Sequence, residues 1–130
     1  LEIKAYSKFF ENLIKNNNKI FFIKPNPVIL NPVWNYGNGI SLNESKRFFL
    51  EDFKEPKFKY LESLKEFNDF INKLDIPNIN LIDLENIFCD EIWCYSIKDG
   101  NILIADDDHP SLKGAEMIND LIIKEIEKLN

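Results

Sequence analysis

The segment "LEIKAYSKFFENLIKN" at 1–16 sets Ile3, Tyr6, Phe9, Phe10, Leu13 and Ile14 at helical spacing, with polar residues between them. That is the period of an amphipathic helix. The asparagines at 16–18 end it. "KIFFI" at 19–23 switches to a short, continuous apolar run, which reads as a buried parallel strand. A helix followed by a buried strand predicts an α/β layer fold. A second amphipathic helix is predicted over 57–74, from Phe58, Leu61, Leu64, Phe67, Phe70, Ile71 and Leu74. "IPNINLID" at 76–83 reads as the next buried strand, entered through Pro77. "CYSIKDGNILIA" has the pattern of two short strands around a turn at Asp99–Gly100. The stripe Leu112, Ala115, Ile118, Leu121, Ile122, Ile126 and Leu129 predicts a last helix over 111–129, with Ser111 as its N-cap.

Residues 24–56 break the pattern. Pro25, Pro27, Pro32, Pro56, Gly37 and Gly39 make a long irregular excursion, and loops of that length in small domains are commonly functional. Trp34 and Tyr36 lie within it, suited to lining a pocket or to burying the loop. "SKRFFLEDF" at 45–53 predicts a short added helix.

Composition narrows the function classes. The 130 residues fit one modest domain. The net charge of −6 is interspersed along the chain. This disfavours a nucleic-acid partner, which needs a basic surface, and simple attraction to anionic lipid. No apolar run approaches the ~20 residues needed to cross a bilayer. Cys89 and Cys94 bracket four residues in "CDEIWC", the wrong spacing for a CxxC redox motif. Two thiols and one distant histidine are too few for a closed zinc site. A local disulfide in an oxidising compartment and a reduced pair in a cytosolic protein both remain open.

The chemistry concentrates in "IADDDHPSLKGA" at 104–115, which holds the one histidine of the chain, His109. Asp106 and His109 are three residues apart, a spacing that places them on one side of a turn. A carboxylate there can accept the imidazole N–H, fix the tautomer and leave the other nitrogen to take a proton. Asp107 and Asp108 are less well spaced for that role. Two structural readings compete with it: aspartates before a helix are favoured by the helix dipole, and a lone histidine at a helix entry is commonly a surface residue. A magnesium or calcium site is a third alternative, although one acidic run supplies few ligands.

The stretch "NINLIDLENIFCDEIWCYSIKDGNILIADDDHPSLKGAEMI" at 78–118 resembles the C-terminal part of the SGNH hydrolase-like domain. That domain occurs with acyltransferase-3 proteins that O-acylate bacterial surface glycans. The resemblance lies in Ile82–Asp83, the paired Cys89 and Cys94, Asp99–Gly100, the Asp-x-x-His of Asp106 and His109, Ser111 and Gly114–Ala115. "FFIKPNP" looks like the family's preceding region, with weaker motifs. Pro110 departs from the family, which usually has leucine there. The resemblance implies a three-layer SGNH/flavodoxin-like fold, of which this chain is the C-terminal portion. It further implies that Asp106 and His109 are the acid and base of a Ser-His-Asp triad. Cys89–Cys94 would be a disulfide on the periplasmic or extracytoplasmic side, Asp107 and Asp108 would have supporting roles, and Gly114 would permit close helix approach.

The family's Gly-Asp-Ser block has no counterpart here. Ser7, Ser41, Ser45, Ser63, Ser96 and Ser111 all lack its context, and "YGNGIS" at 36–41 lies in the wrong order for an oxyanion block. The expectation is one SGNH-like domain spanning 1–130 without its N-terminal nucleophile block, membrane-associated through segments outside the chain. The expected activity is O-acyl transfer or ester hydrolysis on cell-envelope glycans, with no cofactor and no metal. Expected partners are an acyl donor, a glycan acceptor and a membrane acyltransferase domain in the same or a partner protein. The alternatives are an inactive SGNH-like binding or docking module and, last, a metal-dependent hydrolase using the aspartates.

Overall fold

The computed structural model describes residues 3–30 and 53–129. In chain order the elements are α1 (Ile3–Lys15), β1 (Phe21–Ile23), β2 (Lys54–Pro56), α2 (Lys57–Leu74) and β3 (Asn80–Ile82). They continue with α3 (Glu85–Phe88), β4 (Trp93–Tyr95), β5 (Ile97–Lys98), β6 (Asn101–Ile102) and α4 (Leu112–Glu127). The expected helix at 45–53, and Trp34 and Tyr36, lie outside the described residues apart from Phe53 itself, which precedes β2.

Helix boundaries follow local chemistry. Asn17 takes a left-handed conformation after α1, with φ 60°. Its N–H donates to Ile14 O at 2.9 Å and that of Asn18 to Leu13 O at 3.1 Å, the paired bonds of a Schellman ending. Asp75 closes α2 with a left-handed φ of 48° and one bond from its N–H to Asn72 O, and Pro77 follows. The Ser111 side chain accepts the Gly114 N–H at 3.0 Å, so the predicted N-cap of α4 is present. Pro110 lies one residue outside the helix, where it faces Ile104 across an isolated antiparallel bridge.

β1 and β3 pair in parallel, with Phe21 opposite Asn80 and Ile23 opposite Ile82. Successive strand residues point to opposite faces, and here the two faces meet different helices. Phe21 packs on the buried cluster that includes Ile82 and receives Met117, Ile118, Leu121 and Ile122 of α4. Phe22 points the other way and meets Phe10 of α1, ring centroids 5.2 Å apart. Helix, sheet, helix is the α/β layering expected. The strand predicted over 76–83 is shorter, because the left-handed Asn78 (φ 62°) delays pairing to Asn80.

The remaining strands form two small antiparallel pairs, β2 with β4 and β5 with β6. The β5–β6 turn uses Asp99 (φ 51°) and Gly100 (φ 77°), the two positive φ values of a tight hairpin. β2 and α3 are elements the periodicity does not signal, and the strand predicted before Asp99 is divided into β4 and β5 at Ser96. β2 and β4 pair across the cysteine loop, and Lys54 sits over the Trp93 ring at 4.5 Å. Cys89 and Cys94 face each other across a bridge and form a disulfide. Lys98 Nζ donates to the carbonyls of Asn86, Ile87 and Cys89 at 3.2, 3.4 and 2.9 Å, satisfying the end of α3.

α4 lies hard against the chain leading to the aspartates. A Cβ on Gly114 would stand 2.1 Å from Leu103 O, so the expected close approach is present and is to backbone. Gly114→Ala should lower unfolding stability by about 2–4 kcal/mol in urea titration. Replacing Cys89 and Cys94 together with serine should cost about 2 kcal/mol by the chain-entropy argument for so short a loop, read by the same titration.

Candidate active site

The turn carrying the aspartates is pinned at both stems. Ala105 N–H donates to His109 O at 2.8 Å, and Ser111 N–H to Leu103 O at 2.8 Å. The Ser111 hydroxyl donates to Ile102 O at 2.5 Å. Inside the turn, Asp106 Oδ1 accepts the N–H of Asp108 at 3.0 Å and that of His109 at 2.6 Å. One carboxylate thus satisfies two backbone donors and fixes the His109 backbone.

That places Asp106 Oδ2 2.9 Å from His109 Nδ1. The spacing argument therefore brings together the two residues it named. It underrates a third, since Asp108 Oδ1 lies 2.8 Å from the same Nδ1. Two carboxylates at Nδ1 assign the ring proton to that nitrogen, which leaves Nε2 as the lone pair of the neutral imidazole. The ring is 74% exposed. The hydrogen bond to Asp106, then the charges of Asp106 and Asp108, hold the His109 pKa above its ordinary value. Asp106 lies below the usual carboxylate range, chiefly because the His109 N–H donates to it.

The turn rests on the segment that follows β1. Ile29 N–H donates to Asp107 O at 2.8 Å, and Asn26 Nδ2 donates to Asp108 O at 2.8 Å. The Tyr60 hydroxyl donates to Pro25 O at 3.0 Å. Burial, then the charges of Asp83 and Glu85, push the Tyr60 pKa up, which keeps that donor protonated. This segment leaves the C-terminal end of a parallel strand, the side on which α/β sheets place their ligands. At the same end Lys24 and Asp83 form an ion pair at 2.5 Å, with Lys57 and Glu85 paired at 2.6 Å. Burial opposes ionisation of Asp83, but the Lys24 hydrogen bond and the Glu85 N–H outweigh it and lower its pKa.

The described serines have other work. Ser7 donates to Leu74 O, Ser63 to Tyr60 O and Ser111 to Ile102 O. The Ser96 hydroxyl is fully buried without a hydrogen-bond partner. Ser41 and Ser45 fall outside the described residues. Among the described residues no serine hydroxyl bonds to His109. Asp106, Asp108 and His109 could also offer donor atoms within 4.8 Å of one another. Three donors on one exposed turn fall short of the roughly six to eight oxygens calcium takes.

Asn26 was the least visible contributor in the sequence. Its signal is its place between Pro25 and Pro27, which restricts its backbone on both sides. Among the described residues no helix is long and apolar enough to cross a membrane.

An α/β layer structure with an aspartate-bonded histidine on a loop beyond the strand ends is the arrangement that the resemblance to SGNH-type domains implies. A family model described as "SGNH domain (fused to AT3 domains)" matches residues 2–124. The chain belongs to this family, whose domains are associated with acyltransferase-3 (AT3) domains. The match extends well upstream of the 78–118 stretch, through α1 and β1. No curated protein and no solved structure matches the chain.

The paired geometry makes a prediction for the imidazole. A proton-detected pH titration should place the His109 pKa above about 6.5, the ordinary imidazole value, and Asp106→Asn should lower it. The sign for stability follows from linkage. The folded pKa is raised, so the pairing stabilises fully below the unfolded pKa. That contribution is lost as pH rises through the folded value.

Proposed function

We propose that this chain is the His-Asp-bearing part of an SGNH-type O-acyltransferase or acylesterase that acts on bacterial cell-envelope glycans. The observation that carries the reading is the Asp106 carboxylate at 2.9 Å from His109 Nδ1, with Nε2 left to act, in a chain of the SGNH family. The nucleophilic serine would lie in a Gly-Asp-Ser block outside this chain, so that 1–130 forms the C-terminal portion of the domain.

In this reading the serine hydroxyl attacks the acyl carbonyl, and His109 Nε2 takes its proton. The same proton then goes to the leaving alkoxide as the acyl-enzyme forms. In the second half-reaction a sugar hydroxyl or water attacks the acyl carbon as Nε2 takes its proton, and that proton passes to the serine oxygen as the acyl–serine bond breaks. Asp106 holds the Nδ1–H and stabilises the imidazolium in both halves. No metal or cofactor is required by these steps. The donor would be an acyl carrier, and an AT3 membrane domain in the same or a partner protein would present it. The Cys89–Cys94 disulfide supports a periplasmic or extracytoplasmic position, where such bonds persist.

In the full-length protein, His109→Ala should reduce turnover of an aryl acetate ester by about 10³-fold or more while circular dichroism stays native. Because the base must be neutral, wild-type turnover should rise with pH through the elevated His109 pKa. A His109→Ala protein with undiminished turnover would refute the assignment. An inactive docking module predicts no ester turnover in either protein.

A further inference from the structure

The contact between the Asp-rich turn and the segment after β1 joins residues far apart in sequence, and it falls on the residues that face the imidazole. Asn26 stands on a fixed support. Tyr60 holds Pro25 O at 3.0 Å, and Pro27 and Ile29 are fully buried on the other side. Both amide hydrogens of Asn26 have acceptors, Asp108 O at 2.8 Å and Pro27 O at 3.2 Å. The Ile29 N–H adds a second bond, to Asp107 O. Two consecutive peptide units of the turn are therefore held from outside it. Asp108 is the residue so held, and its carboxylate lies 2.8 Å from His109 Nδ1. Asp106 needs no such help, because its own hydrogen bonds to the turn place it. An exposed aspartate without an anchor would have little reason to keep one rotamer against the ring, since side-chain entropy opposes it.

We propose that Asn26 is a positioning residue: its amide fixes the Asp108 backbone so that a second carboxylate joins Asp106 at His109 Nδ1. The pair holds the ring from two sides, restricts its rotation and strengthens the preference for the proton on Nδ1. Among the described residues the charged groups acting on the ring are Asp106, Asp107 and Asp108, and Asn26 governs the last of these. The inference deepens the acyl-transfer reading and rests on it in naming His109 as the base.

The test reads the ring directly, by a pH titration of the His109 imidazole in the protein, with its signals assigned by their loss in His109→Gln. Asn26→Leu keeps the approximate shape and removes the donor. It should lower the His109 pKa by about half a unit and weaken the Nδ1–H signature. Asn26→Gln, which retains the donor, should restore most of the shift. Asp108→Asn should lower the pKa by a similar amount, and adding Asn26→Leu to it should change nothing further. Should the leucine variant not fold, Asn26→Ser, too short to reach Asp108 O, takes its place. A merely structural role would lower the melting temperature and leave the pKa and tautomer of the folded protein unchanged. That result, or additive shifts in the double variant, would overturn the proposal. Turnover is read separately: inactive wild type with a responsive ring would count against the acyl-transfer reading alone.

Discussion

The close approach of α4 to Leu103 is the constraint on which the site depends. With no side chain at Gly114, the helix start can lie against the Leu103 carbonyl. Ser111 uses that proximity three times: its N–H bonds Leu103 O, its hydroxyl donates to Ile102 O, and its oxygen receives the Gly114 N–H. One residue thus ties the helix end to the strand end on which the Asp-rich turn begins. The turn is only as well placed as that junction. Any side chain at 114 would separate the two and loosen the stems together, so a packing requirement in the core becomes an orientation requirement at the surface.

From there order passes outward by hydrogen bonds more than by burial. Asp106 organises its own turn, the turn presents His109, and the segment after β1 braces the turn from the side. The brace is itself fastened to the core by Ile29 and to α2 by Tyr60. The ion pairs Lys24–Asp83 and Lys57–Glu85 gather the ends of β1, β3 and the helices beside them at the same end of the sheet. In partly exposed settings such pairs contribute little individually. Their role here is better described as keeping the strand ends and loops in register.

What the sequence disclosed and what it withheld follow from the range of the interactions. α2 runs over the 57–74 of its apolar stripe, because a helix's period is written in its own residues. The Ser111 cap, the Asp99–Gly100 turn and the Asp106–His109 contact are equally local. β2 is not legible because it is three residues long and exists only through its pairing with β4. The Asp108 contact was underrated by a spacing rule suited to helices, whereas the chain here doubles back around Asp106 Oδ1. Asn26 reaches its acceptor across 82 positions, and no single-chain periodicity encodes such a distance. The layer order was legible in "KIFFI" only in part. That Phe21 and Phe22 serve different helices is a property of the pleat, and it appears once the neighbours are known.

The exposure of His109 carries one more consequence. A ring that is 74% open to solvent is little enclosed by the turn that carries it. The dyad can set how readily a proton moves, but it cannot choose the molecule that supplies it. Under the proposed acyl transfer, selection between a sugar hydroxyl and water, the difference between building an ester and destroying one, would then be a property of whatever surface closes over the imidazole. The same Asp-His turn could serve synthesis or removal, with the outcome decided by its cover.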